Sequence, residues 1–230
     1  MKVLKLALCA AAASLLAAGA ASAEPDVAFN VGATTDYVFR GLTQNNFDPT
    51  AFGGVDVSDG ALYAGAWTSG VSFADAEVDL YGGYKPTLGP VSLDLGVIYY
   101  GYVNDTISYG NAAYWEGKVA ASVPMGPATV GAAVYYSPEF FGETGDATYF
   151  EVNGSTSFRT ATISGAVGIQ KLDKAYYGVD DYATWNLGVT VPVTDTFSVD
   201  ARYIGTDDDA AIAGAGAQVD KFVGTIKATF

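Results

Sequence analysis

The sequence predicts an all-β protein, a transmembrane antiparallel up-and-down β-barrel of about twelve strands. Three observations predict it. Apolar and polar residues alternate along most of the chain, short and long connections between the alternating segments follow one another, and the last strand ends in the aromatic residue Phe230. An even number of strands, with short turns at one end and longer loops at the other, is typical of bacterial outer-membrane barrels.

The composition excludes several other classes of protein. Of the 230 residues, 50% are hydrophobic, 13% are aromatic and only 16% are charged. Ordinary soluble domains are about 25% charged. The aromatic and aliphatic content argues against a disordered chain. Beyond the N-terminal segment, no apolar run reaches the roughly 18 residues that a helical span requires, which argues against a helical membrane protein.

The first 23 residues have the pattern of a bacterial signal peptide. Lysines near the start precede an apolar stretch over residues 6–20, and Ala21-Ser22-Ala23 supplies small residues at the expected cleavage site. We therefore expect a signal helix over 1–23 that is cleaved between Ala23 and Glu24. The barrel domain is expected over residues 24–230.

The predicted exported chain is acidic and has no cysteine. The single cysteine, Cys9, lies inside the signal and too early in it for lipid attachment, so neither disulfides nor thiol chemistry is expected. Lys2 and Lys5 also belong to the signal, so nine of the 11 basic residues remain against 25 acidic ones, a net charge of −16. This balance argues against binding to nucleic acid and against polybasic attachment to anionic lipid.

Period-two alternation begins at residue 27, where Val27, Phe29 and Val31 share one face with Tyr37 and Phe39. Most of the alternating segments are close to the ~9–11 residues that a tilted strand needs to cross a bilayer. Divided at turn signals, the chain is predicted to form strands at about 27–42, 50–57, 61–68, 76–85, 91–101, 112–122, 128–136, 148–157, 160–170, 182–191, 196–204 and 218–230.

The two faces of these strands predict an apolar outer wall and a polar inner wall. In lipid every backbone amide needs a partner, so strands can cross only as a closed sheet, with the apolar face outward. Aromatic residues near strand ends suit the interfacial girdles, although each could equally be ordinary packing. They are Tyr99, Trp115, Tyr136, Trp185 and Tyr203. A soluble β-sandwich also alternates, but it does not account for the signal, the loop lengths and the terminal Phe together.

The charged face is expected to line the lumen. The predicted lining residues are Asp36, Arg40, Asp56, Glu77, Asp79, Lys85, Asp94, Glu116, Lys118, Glu151, Asp200, Arg202, Lys221 and Lys227. Walls of opposite sign would place a transverse field across a diffusion pore. The same charges could instead pair and close the barrel. Eight strands leave a filled interior and sixteen a channel, so twelve leaves both outcomes open, and we favour conduction. The loops are short, which argues against their folding deeply inward.

Catalysis and metal binding are poorly supported by the sequence. The chain has no histidine, so no Ser-His-Asp arrangement can form, and His or Cys zinc sites are absent. Glu77 and Asp79 share a face and could do acid–base work, but polar lining is the favoured interpretation. The run from Asp207 to Asp209 lacks the ligand spacing of a calcium loop. We expect no enzyme activity, no cofactor and no metal.

The longer loops are expected to be strongly acidic. Their acidic residues are opposed only by Lys171 and Lys174, and they are Asp48, Asp75, Asp105, Glu139, Glu143, Asp146, Asp173, Asp180, Asp181, Asp207, Asp208 and Asp209. An acidic vestibule would enrich cations at the entrance, or divalent ions could bridge it to lipopolysaccharide.

The segment DYVFRGLTQ at residues 36–44 resembles the N-terminal motif of the TorF family of porin-like outer-membrane proteins. The likeness continues through FGGVDVSDGALYAGAWTSGV, AEVDLYGGYKP and LDLGVIYYGY, and is strongest over residues 36–101. It implies an outer-membrane barrel with a transport role, but no substrate. The motif positions that it marks, without known roles, are Asp36, Arg40, Gly41, Gln44, Trp67, Glu77, Asp79, Tyr81, Gly82, Gly83 and Tyr84.

Together these observations predict a Gram-negative outer-membrane channel for passive diffusion of small hydrophilic solutes, with a lean toward cations. Asp36, Arg40, Glu77 and Asp79 are expected to form one charged cluster below the mouth that gates or selects solutes. The expected partners are lipid, lipopolysaccharide, and the barrel assembly machinery through the C-terminal strand and Phe230. The alternative is a non-conducting surface protein with acidic interaction loops. The oligomeric state is not determined.

Overall fold

The computed structural model describes residues 24–108, 110–173, 181–207 and 220–230. The expected signal peptide and Ala23 lie outside the described residues, and so do Lys174, Asp180, Asp208 and Asp209 of the acidic loops. The described strands are β1 Asp26–Thr34, β2 Val38–Phe39, β3 Leu42–Thr43, β4 Thr50–Asp59, β5 Leu62–Val71, β6 Ala74–Tyr84, β7 Thr87–Leu88, β8 Val91–Val103, β9 Tyr114–Met125, β10 Ala128–Ser137, β11 Ala147–Phe158, β12 Ala161–Leu172, β13 Tyr182–Pro192, β14 Phe197–Thr206 and β15 Asp220–Thr229.

Twelve of these strands form a closed antiparallel barrel. From β4 onward each long strand pairs with the next long strand of the chain, and β1 pairs with both β4 and β15. The pairing of Asn30 with Thr229 belongs to the β1–β15 ladder that closes the sheet. The two-residue strand β7 pairs antiparallel with the start of β8, while β2 and β3 form a separate hairpin. The predicted twelve-stranded up-and-down barrel is confirmed, and its closure leaves no free edge.

The outer wall is an apolar belt between two aromatic girdles. Large apolar side chains such as Val152, Val167 and Leu187 are more than half exposed at mid-strand positions. Trp115, Tyr136 and Trp185 lie at the end that carries the longer connections, which we name the loop end. Exposed aromatic residues also lie at the opposite end, the turn end; they are Tyr84, Phe158, Phe197 and Phe230. This arrangement is that of a bilayer-spanning barrel.

The structure contains, within its described ranges, no helix with the length and hydropathy needed to cross a bilayer.

The first predicted strand, 27–42, is wrong beyond Thr34. Strand β1 ends there, and Tyr37 and Phe39 pack inside the barrel rather than on the lipid-facing wall. The cause is a two-residue turn at Arg40 and Gly41, whose φ angles are 44° and 78°. Successive positive φ angles are typical of the type I′ turn that joins a tight hairpin. Period-two alternation does not distinguish such an inward hairpin from a longer strand.

Replacing Val167 by Arg tests the orientation of the wall. Val167 is 59% exposed at the middle of β12. We expect Val167→Arg to lower the free energy of unfolding by about 2–4 kcal/mol, because the guanidinium loses hydration in hydrocarbon. The measurement is urea-induced unfolding of the barrel in lipid vesicles. Ala120→Arg is the matched control and should cost less, since Ala120 lines an interior cavity. Equal losses would contradict the outward orientation of Val167.

Candidate functional site

The connection between β1 and β4, residues 35–49, folds into the lumen and is here named the plug loop. Its hairpin strands β2 and β3 pair through Val38 and Thr43, and the Gln44 amide donates to the Tyr37 carbonyl at 2.7 Å. The loop leaves the wall between two adjacent strands and reaches strands on the other side of the barrel. The expectation that the loops are too short to fold inward is therefore wrong for this loop, because β1 ends eight residues earlier than predicted.

The tip of the plug loop requires glycine at position 41. Gly41 has a φ of 78°, and a Cβ atom added to it would lie 2.0 Å from the Thr206 Cγ2 atom of β14. Arg40 precedes it with a φ of 44°, a conformation that costs a non-glycine residue about 1–3 kcal/mol. The contacts of the Arg40 side chain must offset this cost.

Arg40 forms a two-point ion pair with Glu116 of β9. Its Nη1 and Nη2 atoms each lie 2.7 Å from a different carboxylate oxygen, and Nη1 also donates to the Gln170 Oε1 atom at 3.1 Å. Tyr100 donates its hydroxyl to the same carboxylate at 3.2 Å. Glu116 and Gln170 are each only 1% exposed. Parallel charge-assisted bonds of this kind are among the strongest polar contacts in proteins.

Aromatic rings surround the Arg40 guanidinium. Its central carbon lies 4.7 Å from the ring centre of Phe39, 5.0 Å from Tyr135 and 4.5 Å from Tyr149. Cation–π contacts add stabilisation that increases when water is excluded. With Glu116 and Gln170, these partners place the Arg40 side chain against β9, β10, β11 and β12, opposite the strands from which the plug loop emerges. The plug loop therefore crosses the whole lumen.

A second set of contacts anchors the base of the plug loop. Asp36 accepts a hydrogen bond from the Thr43 hydroxyl at 2.6 Å, and its other carboxylate oxygen lies 3.0 Å from the Lys221 ammonium of β15. The Ser72 amide donates to the Gln44 carbonyl at 2.9 Å. These contacts connect the plug loop to the last strand and to the connection between β5 and β6.

A third contact joins Tyr37 to strand β6. The Tyr37 hydroxyl donates to the Glu77 Oε1 atom at 2.6 Å, and its ring centre lies 5.2 Å from that of Trp67. Burial, together with the neighbouring Glu77 and Asp79 carboxylates, raises the pKa of Tyr37 well above its usual value. The hydroxyl therefore stays protonated and remains a donor at physiological pH.

Apolar and aromatic side chains cover the plug loop at the loop end. This roof cluster consists of Tyr100, Ala112, Tyr114, Phe140, Phe141 and Ala147. Phe39 of the plug loop packs on it, with its ring centre 5.6 Å from that of Tyr100. Backbone hydrogen bonds also join successive loops, from Thr106 to Phe73 at 2.8 Å and from Gly142 to Asn111 at 2.9 Å. The plug loop is thus held from above as well as from the sides.

The lumen below the plug loop is polar and contains open space. A cavity of about 410 Å³ lies near the turn end, and its polar lining includes Lys85, Ser92, Asp94 and Asn153. The Asp94 carboxylate accepts from the Tyr63 hydroxyl at 2.7 Å and from the Lys118 ammonium at 2.6 Å. A volume of a few hundred Å³ is typical of small-molecule sites.

The other predicted lining residues lie within local hydrogen-bond networks of the wall. Asp200 accepts from Thr190 at 2.7 Å and from Arg202 at 3.2 Å. Asp56 accepts from Tyr81 at 2.6 Å, and Glu151 accepts from Asn153 at 2.8 Å. Lys227 is exposed toward the turn end of β15.

Acidic side chains of the lumen are more numerous on one wall and basic side chains on another, although Lys118 lies on β9 and Asp200 on β14. Asp56, Glu77, Asp79, Asp94 and Glu116 lie on strands β4 to β9. Arg202, Lys221 and Lys227 lie on β14 and β15. In the strand order around the barrel, β8 and β14 are separated by half of the twelve strands and face each other.

The single cluster expected from Asp36, Arg40, Glu77 and Asp79 does not form. Asp36 pairs with Lys221 and Arg40 with Glu116, while Glu77 and Asp79 lie next to each other beside Tyr37. The error has the same cause as the misplaced strand end, because parity along a strand says nothing about side chains on an inward hairpin.

The residues that sequence reasoning missed are mainly tyrosines. Tyr100 and Tyr135 face inward beside Glu116 and Arg40, whereas their neighbours Tyr99 and Tyr136 belong to the opposite face. The Tyr-Tyr doublets at 99–100 and 135–136 were a usable signal, since adjacent strand residues point to opposite walls. Nothing in the sequence pattern indicated Gln170.

Over the ranges that the structure describes, no cluster of three or more His, Cys, Asp or Glu side chains could hold a metal ion.

This closed, plugged barrel has the fold of the outer-membrane porins. The chain is similar to the solved structure of the NanC porin, with a TM-score of 0.59 and 10% identity, over 89% of this chain and 99% of that one. It is also similar to the KdgM porin, with a TM-score of 0.61 and 9% identity, over 88% and 99%. The KdgM porin in complex with disordered oligogalacturonate matches with a TM-score of 0.59 and 8% identity, over 89% and 98%.

The sequence itself identifies the family. Residues 17–230 match the model of a family of bacterial proteins of unknown function, Gcw_chp, and the chain belongs to that family. No curated protein matches the sequence.

Removing Arg40 tests how strongly the plug loop is held. Arg40→Ala leaves the buried Glu116 carboxylate without its ion pair, and we expect the free energy of unfolding to fall by about 3–5 kcal/mol. Urea-induced unfolding of the refolded barrel measures it. The matched control is Lys171→Ala, because Lys171 and Asp181 form an exposed ion pair at 2.7 Å. Exposed ion pairs contribute about 0–1 kcal/mol to the free energy of unfolding. Comparable losses in both variants would therefore contradict a strong, buried Arg40–Glu116 ion pair.

Proposed function

We propose that the protein is an outer-membrane channel for passive diffusion of small hydrophilic solutes, and that the plug loop is its movable closure. The observation that carries this proposal is how the lumen is filled. Eight strands suffice for a barrel whose side chains fill it, whereas twelve make a wider one. This chain fills the extra width with a loop, which can move, rather than with wall side chains, which cannot.

The contacts of the plug loop support reversible closure. Arg40–Glu116, Asp36–Lys221 and Tyr37–Glu77 are polar, and their wall partners can be rehydrated when the loop leaves. A permanently sealed barrel would be more stable with an apolar interior, because burying ion pairs costs desolvation energy. Polar contacts at the loop therefore favour a closure that opens.

The lower lumen supports the proposed class of solute. Its cavity of about 410 Å³ combines the Lys85 ammonium, the Asp94 carboxylate and the hydroxyls of Thr87 and Ser92. Such a lining accommodates polar solutes of either charge by exchange of hydrogen bonds with water.

We also propose that the channel favours cations over anions. Four acids of the predicted lining, Asp56, Glu77, Asp79 and Glu151, form no ion pair among the described residues. Two lysines, Lys85 and Lys227, are likewise outside those pairs. The excess of acids would favour cations in an opened lumen.

The proposed site of action is the outer membrane of a Gram-negative bacterium, after export by the signal peptide 1–23. The loop end would face outward toward lipopolysaccharide, and the porin-like fold supports this orientation. Phe230 is 69% exposed, and its backbone pairs with Phe29, so the C-terminal strand carries an aromatic end that the assembly machinery could bind. We also propose kinship with the TorF family, and no enzymatic role.

A non-conducting surface protein is the second candidate, and the roof cluster favours it. Loops packed on one another through Phe73, Phe140 and Phe141 present a fixed outer surface. In that case the acidic loops would act as an interaction surface and the lumen would stay closed.

Solute uptake distinguishes the two candidates. A variant in which residues 36–46 are replaced by a short Gly-Ser linker is expected to admit small sugars and amino acids into liposomes several times faster than the full chain does. The reason is that the lumen then lacks the segment that crosses it. The measurement is liposome swelling, with empty vesicles as the control. Swelling of the variant no faster than that of empty vesicles would favour the surface protein.

Planar-bilayer recording tests directly whether the ion pair between Arg40 and Glu116 keeps the channel closed. Losing about 3 kcal/mol from the closed state raises the ratio of open to closed channels by roughly a hundredfold, so Arg40→Ala should open far more often than the wild type. Cation over anion permeability is read from the reversal potential in a salt gradient. Lys171→Ala is again the control. Identical conductance and selectivity in Arg40→Ala and wild type would remove Arg40 from the mechanism.

A further inference from the structure

Two buried carboxyl groups beside the plug loop have no counter-charge among the described residues. Glu77 is 2% exposed and Asp79 is 8% exposed, and both project inward from β6, two residues apart. Among the described residues neither forms an ion pair. The Asp79 Oδ1 atom is buried and has no hydrogen-bond partner within the described part of the chain.

The groups that face this carboxyl pair within the described ranges are neutral. From the plug loop it is faced by Tyr37, from β8 by Tyr100 and Tyr102, and from its own strand by Tyr81. The residues opposite it in register on β5 are Ser69 and Trp67. The nearby charged groups are bound elsewhere, since Asp36 pairs with Lys221, and Arg40 with Glu116.

Two ionised carboxylates cannot remain together in such a place at low energy. Each loses its hydration, and each repels the other through a medium of low dielectric constant. The tyrosine hydroxyls stabilise one negative charge, on Glu77, through the 2.6 Å bond from Tyr37. Asp79 has no such donor at Oδ1. One proton shared by the pair removes the second charge, as in other close carboxyl pairs.

We propose that Glu77 and Asp79 bind a single proton in the closed barrel and that release of this proton to bulk water opens the plug loop. This inference rests on the proposed role of the plug loop as a movable closure. When the proton leaves, the second negative charge needs water. Water reaches the pair when Tyr37 withdraws from Glu77, and Tyr37 is part of the plug loop. The proton site is thus coupled to the closure through one hydrogen bond.

The direction of the pH effect follows from proton counting. The closed state binds one more proton than the open state, in which both carboxyl groups are hydrated and ionised. Raising the pH therefore weakens the closed state, and the ratio of open to closed protein rises about tenfold per pH unit until the closed state also loses the proton. Closure is complete on the acidic side.

Infrared spectroscopy tests the proton itself. The full chain, refolded into lipid vesicles, should show a protonated carboxyl band at about pH 7, where exposed carboxyl groups are ionised. Asp79→Asn should abolish this band, because Glu77 then ionises with its tyrosine donors. Asp105→Asn, which alters an exposed loop carboxylate, should retain it. Absence of the band from the wild type, including the case in which a sodium or potassium ion neutralises the pair instead, would overturn the proton site.

Trypsin cleavage after Arg40 tests the coupling without any need for conduction. When the plug loop is in place, the Arg40 side chain is only 7% exposed and Gly41 is buried, whereas Arg159 lies exposed in a turn. In micelles, cleavage at Arg40, normalised to cleavage at Arg159, should rise about tenfold per pH unit in the wild type between about pH 6 and about pH 8. In Asp79→Asn, which mimics the protonated pair, it should stay slow throughout.

The outcomes separate the further inference from the proposed function. Cleavage at Arg40 that does not depend on pH in the wild type, or that depends on it equally in Asp79→Asn, overturns the coupling. Failure of the loop-replaced variant to admit solutes overturns the channel, but it leaves the infrared band and the cleavage profile as they are. Native electrophoretic mobility of each variant before and after heating shows that the barrel has folded.

Discussion

The structure depends on one constraint, the need of every backbone amide in a lipid environment for a partner within the protein. The ladder between β1 and β15 meets it by closing the sheet, and the exposed apolar belt follows, since only the outward residues of each strand contact hydrocarbon. Closure also creates an interior. With twelve strands this interior is wider than side chains of the wall alone can fill.

The plug loop occupies this interior and is held there by polar contacts. Its tip crosses to β9–β12 through Arg40, and its base is tied to β15 through Asp36 and to β6 through Tyr37. Each contact includes a buried carboxyl group, so each is strong while water is excluded and weak once water enters. The proposed closure would therefore have two stable states, one in which these contacts are dry and one in which they are hydrated. The same entry of water would affect both the Arg40–Glu116 ion pair and the proposed proton site at Glu77 and Asp79.

Charge in the lumen is arranged in two different ways. Asp94–Lys118 and Asp200–Arg202 are balanced within the wall, and they stay balanced whether the plug loop is present or not. Among the residues that the structure describes, Glu116 and Asp36 are balanced by contacts that include the plug loop, and Glu77 with Asp79 has no balancing charge. In the proposed opening, the energetic consequences of loop movement would therefore fall on a few residues near the loop end, while the lower lumen would keep its structure.

The sequence by itself determined the barrel. Alternation of apolar and polar residues is a local property with a period of two, and it reports which side chains meet lipid for residues such as Val167 and Phe29. The strand count and most of the turn positions followed from it, whereas the assignment of acidic and basic residues to the lumen lining stays a prediction. The predictions of export and of a cysteine-free exported chain were equally local, since they rest on residues 1–23 and on composition.

Only the tertiary structure decided what fills the barrel. Tyr37 and Phe39 continue the alternation of β1, and nothing local marks the end of that strand at Thr34. The inward turn at Arg40 and Gly41 is stable because Glu116, Gln170 and Tyr149, on distant strands, converge on one guanidinium. Such convergence depends on barrel closure, which brings residues far apart in the chain to one point in the lumen. A pattern of period two contains no information about contacts across that space.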